Sequence, residues 1–231
     1  MTTSINGNMS IRADCDSESL DWAASPSGTV WRKRLHLVGE PESGQVTSVV
    51  RYEAGARFPA HDHPEGEEIL VLAGVFSDEH GDWPAGTFLL NPEGFHHAPF
   101  SQAGCVLFVK LRQFAGEMRE HVAIGLDSVE WRSTPMVGGM VGVERKQLYA
   151  QPGFPDTVAV ERWKPGADPG EREFPNGVEL FVLAGQLHDE FGRYGRGHWV
   201  RLPVGTSHRL RSGPGAEIYV KSHGVSGLRS G

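Results

Sequence analysis

The chain has 231 residues and a formal charge of −7, from 29 acidic and 22 basic side chains. No apolar run approaches the roughly 18 residues of a membrane span, residues 1–16 hold no signal-type apolar segment, and the acidic balance speaks against nucleic acid as a partner. With 30 Gly, 15 Pro and only two Cys, the composition excludes a disulfide framework or a Cys-based zinc module and predicts a cytoplasmic, turn-rich β protein.

In chain order, residues 1–16 read as a flexible tail. Trp31-Arg32-Lys33-Arg34 reads as an alternating, solvated strand and not as a nucleic-acid patch. Val46–Tyr52, Glu68–Ala73 and Val106–Leu111 are short apolar runs bounded by turn residues, and each predicts a strand. Cys105 reads as a small buried hydrophobe. Ala115–Gly125 predicts a short helix or linker, around residues 117–123. Met136 to Met140, with its Gly138-Gly139 pair, reads as a turn. Strands follow again at Thr157–Trp163, Glu179–Ala184 and Glu217–Lys221. Intervening helices are missing, so the fold class is all-β, with a barrel or sandwich architecture.

The chain repeats itself. Displaced by 111 positions, Gly55–Lys110 lies over Gly166–Lys221 without a gap, and 20 of 56 positions are identical, against about 3 by chance. The identities include Gly55, Pro64, Gly66, Gly74, Gly86, Pro92 and Gly94, the residues that set turns. A weaker echo relates Ser19-Leu20-Asp21-Trp22 to Ser128-Val129-Glu130-Trp131. Two tandem modules follow: residues 17–114 and residues 127–231, joined by a linker at 115–126.

The chemistry concentrates in the first module. In His61-Asp-His63-Pro-Glu-Gly-Glu67, alternation on a strand turns His61 and His63 to one side, where two imidazoles converge on an ion. Glu67 shares the parity of His63, whereas Glu68 has the opposite parity and is expected to face out. Gly86-x5-Pro92-x-Gly94-x2-His97 adds a fourth candidate ligand, with the adjacent His96 expected at the surface or behind the ligands. Three His and one Glu on an inner wall without an ion would leave buried polar groups short of partners, which points to metal binding. At the same offset the second module places Arg172, Phe174 and Val178 where the first has His61, His63 and Glu67. Only His208 matches His97. His188, His198 and His208 read as polar core or surface, and the second module reads as a degenerate partner.

The spacing Gly55-x5-His61-x-His63-x3-Glu67-x6-Gly74, followed by Gly86-x5-Pro92-x-Gly94-x2-His97, resembles the paired motifs of the cupin superfamily. The run from Glu67 to Thr87 is similar to ChrR-type cupins in particular. The resemblance implies two jelly-roll (double-stranded β-helix) barrels, with His61, His63, Glu67 and His97 as ligands of one divalent ion per chain. Where the cupin pattern usually ends in Asn, this chain has Ser101. Four-coordinate Zn2+ would close the site, while Fe2+, Mn2+ or Ni2+ would leave about two open positions. The first expectation is therefore a small-molecule enzyme of dioxygenase type, cleaving a diketone or hydroxyketone. Phe76, Trp83, Phe95 and Phe100 are candidate pocket walls, though each reads more readily as core packing. The alternative is a non-catalytic zinc cupin acting as a sensor. ChrR-type proteins release a sigma factor through a zinc domain with a Cys-x2-Cys pair; this chain has Cys15 alone there, so an anti-sigma role is not expected. A small-molecule ligand is the expected partner, and homodimerisation is a further expectation because cupin barrels commonly pair.

Overall fold

The computed structural model describes residues 4–116, 118–133 and 142–231. The Met136–Met140 turn and residue 117 of the expected helix or linker lie outside the described residues. The described residues form β-strands, turns and short 3-10 turns, and no α-helix occurs among them. The two units each contain one repeat: residues 20–128 with both chain ends, and residues 129–228 with residues 8–19.

In the first unit the main sheet runs Ser4–Ile5, Val30–Val38, Gln45–Tyr52, Cys105–Leu111, Glu67–Asp78, Thr87–Asn91, Val122–Gly125, with every pairing antiparallel. The inner face is apolar because alternate residues share a side: Val50, Ile69, Val71, Phe76, Leu107 and Val109 pack into one buried cluster. Each such side chain contributes about 1.5–3 kcal/mol on burial. In the second unit the order is Arg132–Ser133, Val143–Ala150, Thr157–Trp163, Ala216–Ser222, Val178–His188, His198–Leu202, Ala13–Asp16. Its core contains Trp163, Phe174, Val178, Leu180 and Ile218. Gly74 lies two residues past the bulge at Leu72; a Cβ on it would fall 2.1 Å from the Gly104 carbonyl oxygen, and Gly185 meets Gly215 at the same distance. This shared close approach explains why both repeats keep glycine at that point.

Several expectations are corrected. The segment expected as a tail is paired: Ser4 and Ile5 lie against Val38 and Leu37, and Ala13–Asp16 against Arg201–His198. Where a short helix or linker is expected around residues 117–123, the strand Val122–Gly125 begins, and its backbone completes the edge at Thr87–Leu90. The contiguous partition changes accordingly, since the strand preceding each repeat pairs in the sheet of the other. Glu68 does lie opposite in parity to Glu67, but it is buried, facing Lys110 across the ladder. The basic run is not a solvated strand either. Lys33 is buried over the Trp22 ring, and Arg32 and Arg34 turn to the inner face. Cys105 is buried, and burial pushes its thiol up to about 11.

Candidate metal centre

Two short elements bring the histidines together. His61–Asp62 pairs antiparallel with His96–His97, which sets His61 directly opposite His97. Glu65 and Gly66, at φ 58° and 73°, then turn the chain into the long Glu67–Asp78 strand. A Cβ on Gly66 would come within 3.1 Å of the Asn91 carbonyl oxygen, so glycine is required for this turn as well as for its φ.

One ring nitrogen from each of His61, His63 and His97 lies within 4.8 Å of the other two. The His63 and His97 Nε2 atoms are 2.8 Å apart. Glu67 Oε2 lies 3.3 Å from His63 Nε2 and 3.6 Å from His97 Nε2. All four predicted residues therefore meet at one point, with His63, Glu67 and His97 buried. His96 is exposed and donates from Nδ1 to Asp62 Oδ1 at 2.9 Å, on the other side of its strand.

The outer contacts orient the set. His61 Nδ1 donates to the Pro59 carbonyl at 2.8 Å, and His97 Nδ1 donates to Asp78 Oδ2 at 3.0 Å. Both contacts fix the tautomer that leaves Nε2 free to ligate, as second partners do in metal sites. Asp78 is itself anchored, since its Oδ1 accepts from the backbone N–H groups of His80 and Gly81 and from Trp83 Nε1. Asn91 donates to Glu67 Oε2 at 2.9 Å. Three imidazoles, two of them orientated by outer contacts, and a held carboxylate fit a divalent first-row ion in number and donor type.

Electrostatics divide the imidazoles. Burial pushes His63 down. Burial also opposes charge on His97, but the hydrogen bond and charge of Asp78, with Glu67, more than offset it and raise the ring. Without an ion, a second proton is therefore held more readily on His97 than on His63. An incoming ion must displace it. We expect Zn2+ affinity to fall about tenfold per pH unit below roughly pH 6.5, measured by chelator competition between pH 5.5 and 8. A flat profile would mean that His97 is not a ligand. Asp78→Asn is expected to weaken the ion about 10–100-fold at pH 7.5 in the same assay.

A cavity of about 620 Å³ opens over this cluster, with His61, His63 and Glu67 in its wall beside apolar Val50, Phe58, Ile69, Phe76 and Leu107. That volume suits a metabolite-sized ligand. Of the aromatic candidates, Phe76 lines the cavity. Trp83 packs on the core, Phe95 stacks on His121 and Phe100 lies under Arg57. Ser101 is buried and donates to the Val75 carbonyl.

Residues 11–115 and 119–226 each match the family model of the ChrR cupin-like domain, two copies covering most of the chain. The chain belongs to the ChrR cupin-like family. Among solved structures, this cupin is similar to a provisionally assigned dioxygenase from Nostoc punctiforme, at 15% identity, TM-score 0.76, and coverage of 94% of this chain and 84% of the other. It is also similar to protein Ylba from E. coli, at 15% identity, TM-score 0.69 and coverage of 96% and 93%. A variant of Bacillus subtilis oxalate decarboxylase follows at 13% identity, TM-score 0.60 and coverage of 91% and 76%. These likenesses carry the cupin fold. No functionally curated protein matches the chain by sequence.

The second cupin repeat is built differently at the equivalent positions. Arg172 donates to both oxygens of Glu161 at 3.1 and 3.2 Å, Arg145 donates at 3.2 Å and Trp163 Nε1 at 3.1 Å. Phe174 and Val178 are core. His208 keeps its acidic partner but presents the other nitrogen: Nε2 donates to Asp189 Oδ2 at 2.9 Å. Asp189, Glu190 and His208 offer atoms within 4.8 Å, yet that hydrogen bond occupies the nitrogen that corresponds to the ligand in the first repeat. His198 pairs instead with Asp14.

Sequence reasoning passed over Asp78 and Asn91. The signal for Asp78 was present, because Asp78-Glu79 recurs as Asp189-Glu190 at the repeat offset. Asn91 left no such trace, since Leu202 stands at its counterpart.

Proposed function

We propose that this cupin is a metal-dependent small-molecule enzyme of dioxygenase type, acting on a diketone or hydroxyketone at the first-repeat site. One observation supports the reading above others: three imidazoles and a carboxylate converge at the wall of an open cavity, so an ion held there is accessible to a ligand. Such an ion would supply Lewis-acid polarisation of a carbonyl and, if ferrous, the redox chemistry of oxygen. The chain contributes the rest. His61 and His97 hold fixed tautomers, Glu67 balances the positive charge, and Val50, Phe76 and Leu107 exclude water around the bound carbonyl carbons. Asn91 holds Glu67 in place, which restrains it from swinging away as a base. Two fold neighbours are described as enzymes, a provisionally assigned dioxygenase and oxalate decarboxylase, but at their identities the argument rests on the site.

The alternative, a zinc cupin that binds a ligand without turnover, is favoured by membership of a ChrR cupin-like family. Elemental analysis of protein purified without added metal, followed by oxygen uptake with Fe2+ and a diketone panel, separates the two. Ferrous-dependent oxygen uptake supports the enzyme. One zinc per chain, with no uptake after iron loading, overturns it in favour of the sensor.

A further inference from the structure

The cavity has a second polar region that the metal site does not use. On the strand Val30–Val38, Arg32 and Arg34 share the inner face with Val30, and all three line the cavity. Across the ladder Arg34 lies opposite Ser48 and Arg32 opposite Val50. Ser48 is 1% exposed, lines the cavity, and its Oγ has no hydrogen-bond partner; Arg34 Nε is likewise buried and unpartnered. Such groups are costly to leave unmatched. The carboxylate on this pair is Glu42, which accepts from Arg32 Nη1 at 2.6 Å and Arg34 Nη2 at 3.1 Å. Its side chain is 48% exposed on a loop. Two guanidiniums against one carboxylate leave a positive excess. Burial, then Arg32, press against the charge on Arg34, and Glu42 only offsets this.

The second repeat shows how this chain neutralises such cations from within. There Arg145 faces Glu161 across the equivalent ladder, and the 1%-exposed Glu161 collects Arg145 and Arg172 together. In the first repeat the residue at the Glu161 position is Val50. The fixed internal carboxylate is gone while the arginine remains beside an open cavity.

We infer that Arg32, Arg34 and Ser48 form a binding subsite for the carboxylate of an amphipathic substrate whose other end reaches the metal site. This rests on the proposed function and names its substrate class. Guanidiniums recognise carboxylates through paired, charge-assisted hydrogen bonds, and Ser48 supplies one further donor. The strand carrying the arginines lies three strand spacings from the one carrying Glu67, about 14 Å along the curved sheet. Apolar Val50, Leu107 and Val109 lie between them. The ligand is therefore an acid with an apolar spacer, not a compact dianion.

The test uses the full chain loaded with Zn2+ and calorimetric titration of heptane-2,4-dione against 4,6-dioxoheptanoate, 6,8-dioxononanoate and 8,10-dioxoundecanoate. At least one acid is expected to bind about tenfold or more tighter than the dione. Arg32→Met and Arg34→Met should abolish that advantage with zinc content unchanged, and Ser48→Ala, which keeps all charges, should reduce it severalfold. Glu42→Gln removes a competing carboxylate and should tighten the acid. Equal affinity of acids and dione in the parent protein, or an acid advantage that survives in both Arg→Met variants, overturns the subsite. Failure of the metal reading is recognised separately. If zinc or the dione does not bind, octanoate is compared with 1-octanol on metal-free protein. Arg34-dependent preference for octanoate then supports the subsite alone, and no preference overturns it.

Discussion

His97→Ala is expected to lose more than about 100-fold in Zn2+ affinity, because it removes a ligand where even an outer partner is worth about 10–100-fold. His61→Ala should behave alike. His97 sits in a two-residue ladder with His61, outside the main sheet whose inner face holds Val71, Phe76 and Leu107. The barrel therefore stays folded. The stability cost of the His97 variant in metal-free protein is about 1–3 kcal/mol, mainly the buried Asp78 oxygen that loses its donor. Metal-to-protein ratio by elemental analysis, with circular dichroism as the folding control, reads both effects. His96→Ala, which removes an exposed ring paired with Asp62, should retain its metal. Full occupancy in both the His61 and His97 variants would place the ion elsewhere.

The sequence made the repeat and the meeting of His61, His63, Glu67 and His97 legible for a physical reason. Glycines such as Gly66 and Gly74 are demanded by backbone geometry, so they survive divergence, and short spacings on strands translate directly into shared faces. Parity worked less well where both faces of a strand are covered. Glu68 was expected in solvent because alternation reports the side of the sheet, not what packs on that side. Arg32 and Arg34 were misread for the mirror-image reason: charge suggested solvent, yet the strand turns them toward the cavity and leaves Lys33 buried on the reverse. The pairing of Ala13–Asp16 and Val122–Gly125 was not legible at all. Each has only four residues; Ala13–Asp16 is too polar to mark a strand and its partner lies far along the chain, while Val122–Gly125 is apolar but too short to show which edge it completes. The Asp78 brace was visible only as a repeated Asp-Glu, without any mark of which ring it would orient.

Glu161→Ala should destabilise the second repeat by about 3–5 kcal/mol, since removing one member of a buried charge cluster strands the others. In this case Arg172 and Arg145 keep side chains only 14% and 20% exposed, and Trp163 loses the acceptor for its indole N–H. Burial pushes the Glu161 carboxyl up, but the adjacent Arg172 and Arg145, through charge and hydrogen bonds, hold it below the usual range. A depressed carboxyl stabilises the fold above its unfolded value, so this contribution is present at neutral pH and is lost as pH falls below about 4. Denaturant unfolding at pH 7 and pH 3.5 reads both parts: a large gap between parent and Glu161→Ala at neutral pH, and a smaller one in acid. The combined variant Arg145→Met, Glu161→Leu, Arg172→Met should recover most of the loss, because an apolar replacement of the whole cluster has no stranded charge. Zinc content should stay at the parent level in all of these, and a halving in Arg172→Ala would reveal a second ion. If Glu161→Ala costs less than about 1 kcal/mol at pH 7, the cluster is screened by water. Its value as the internal counterpart of the arginine pair in the first repeat would then fall with it.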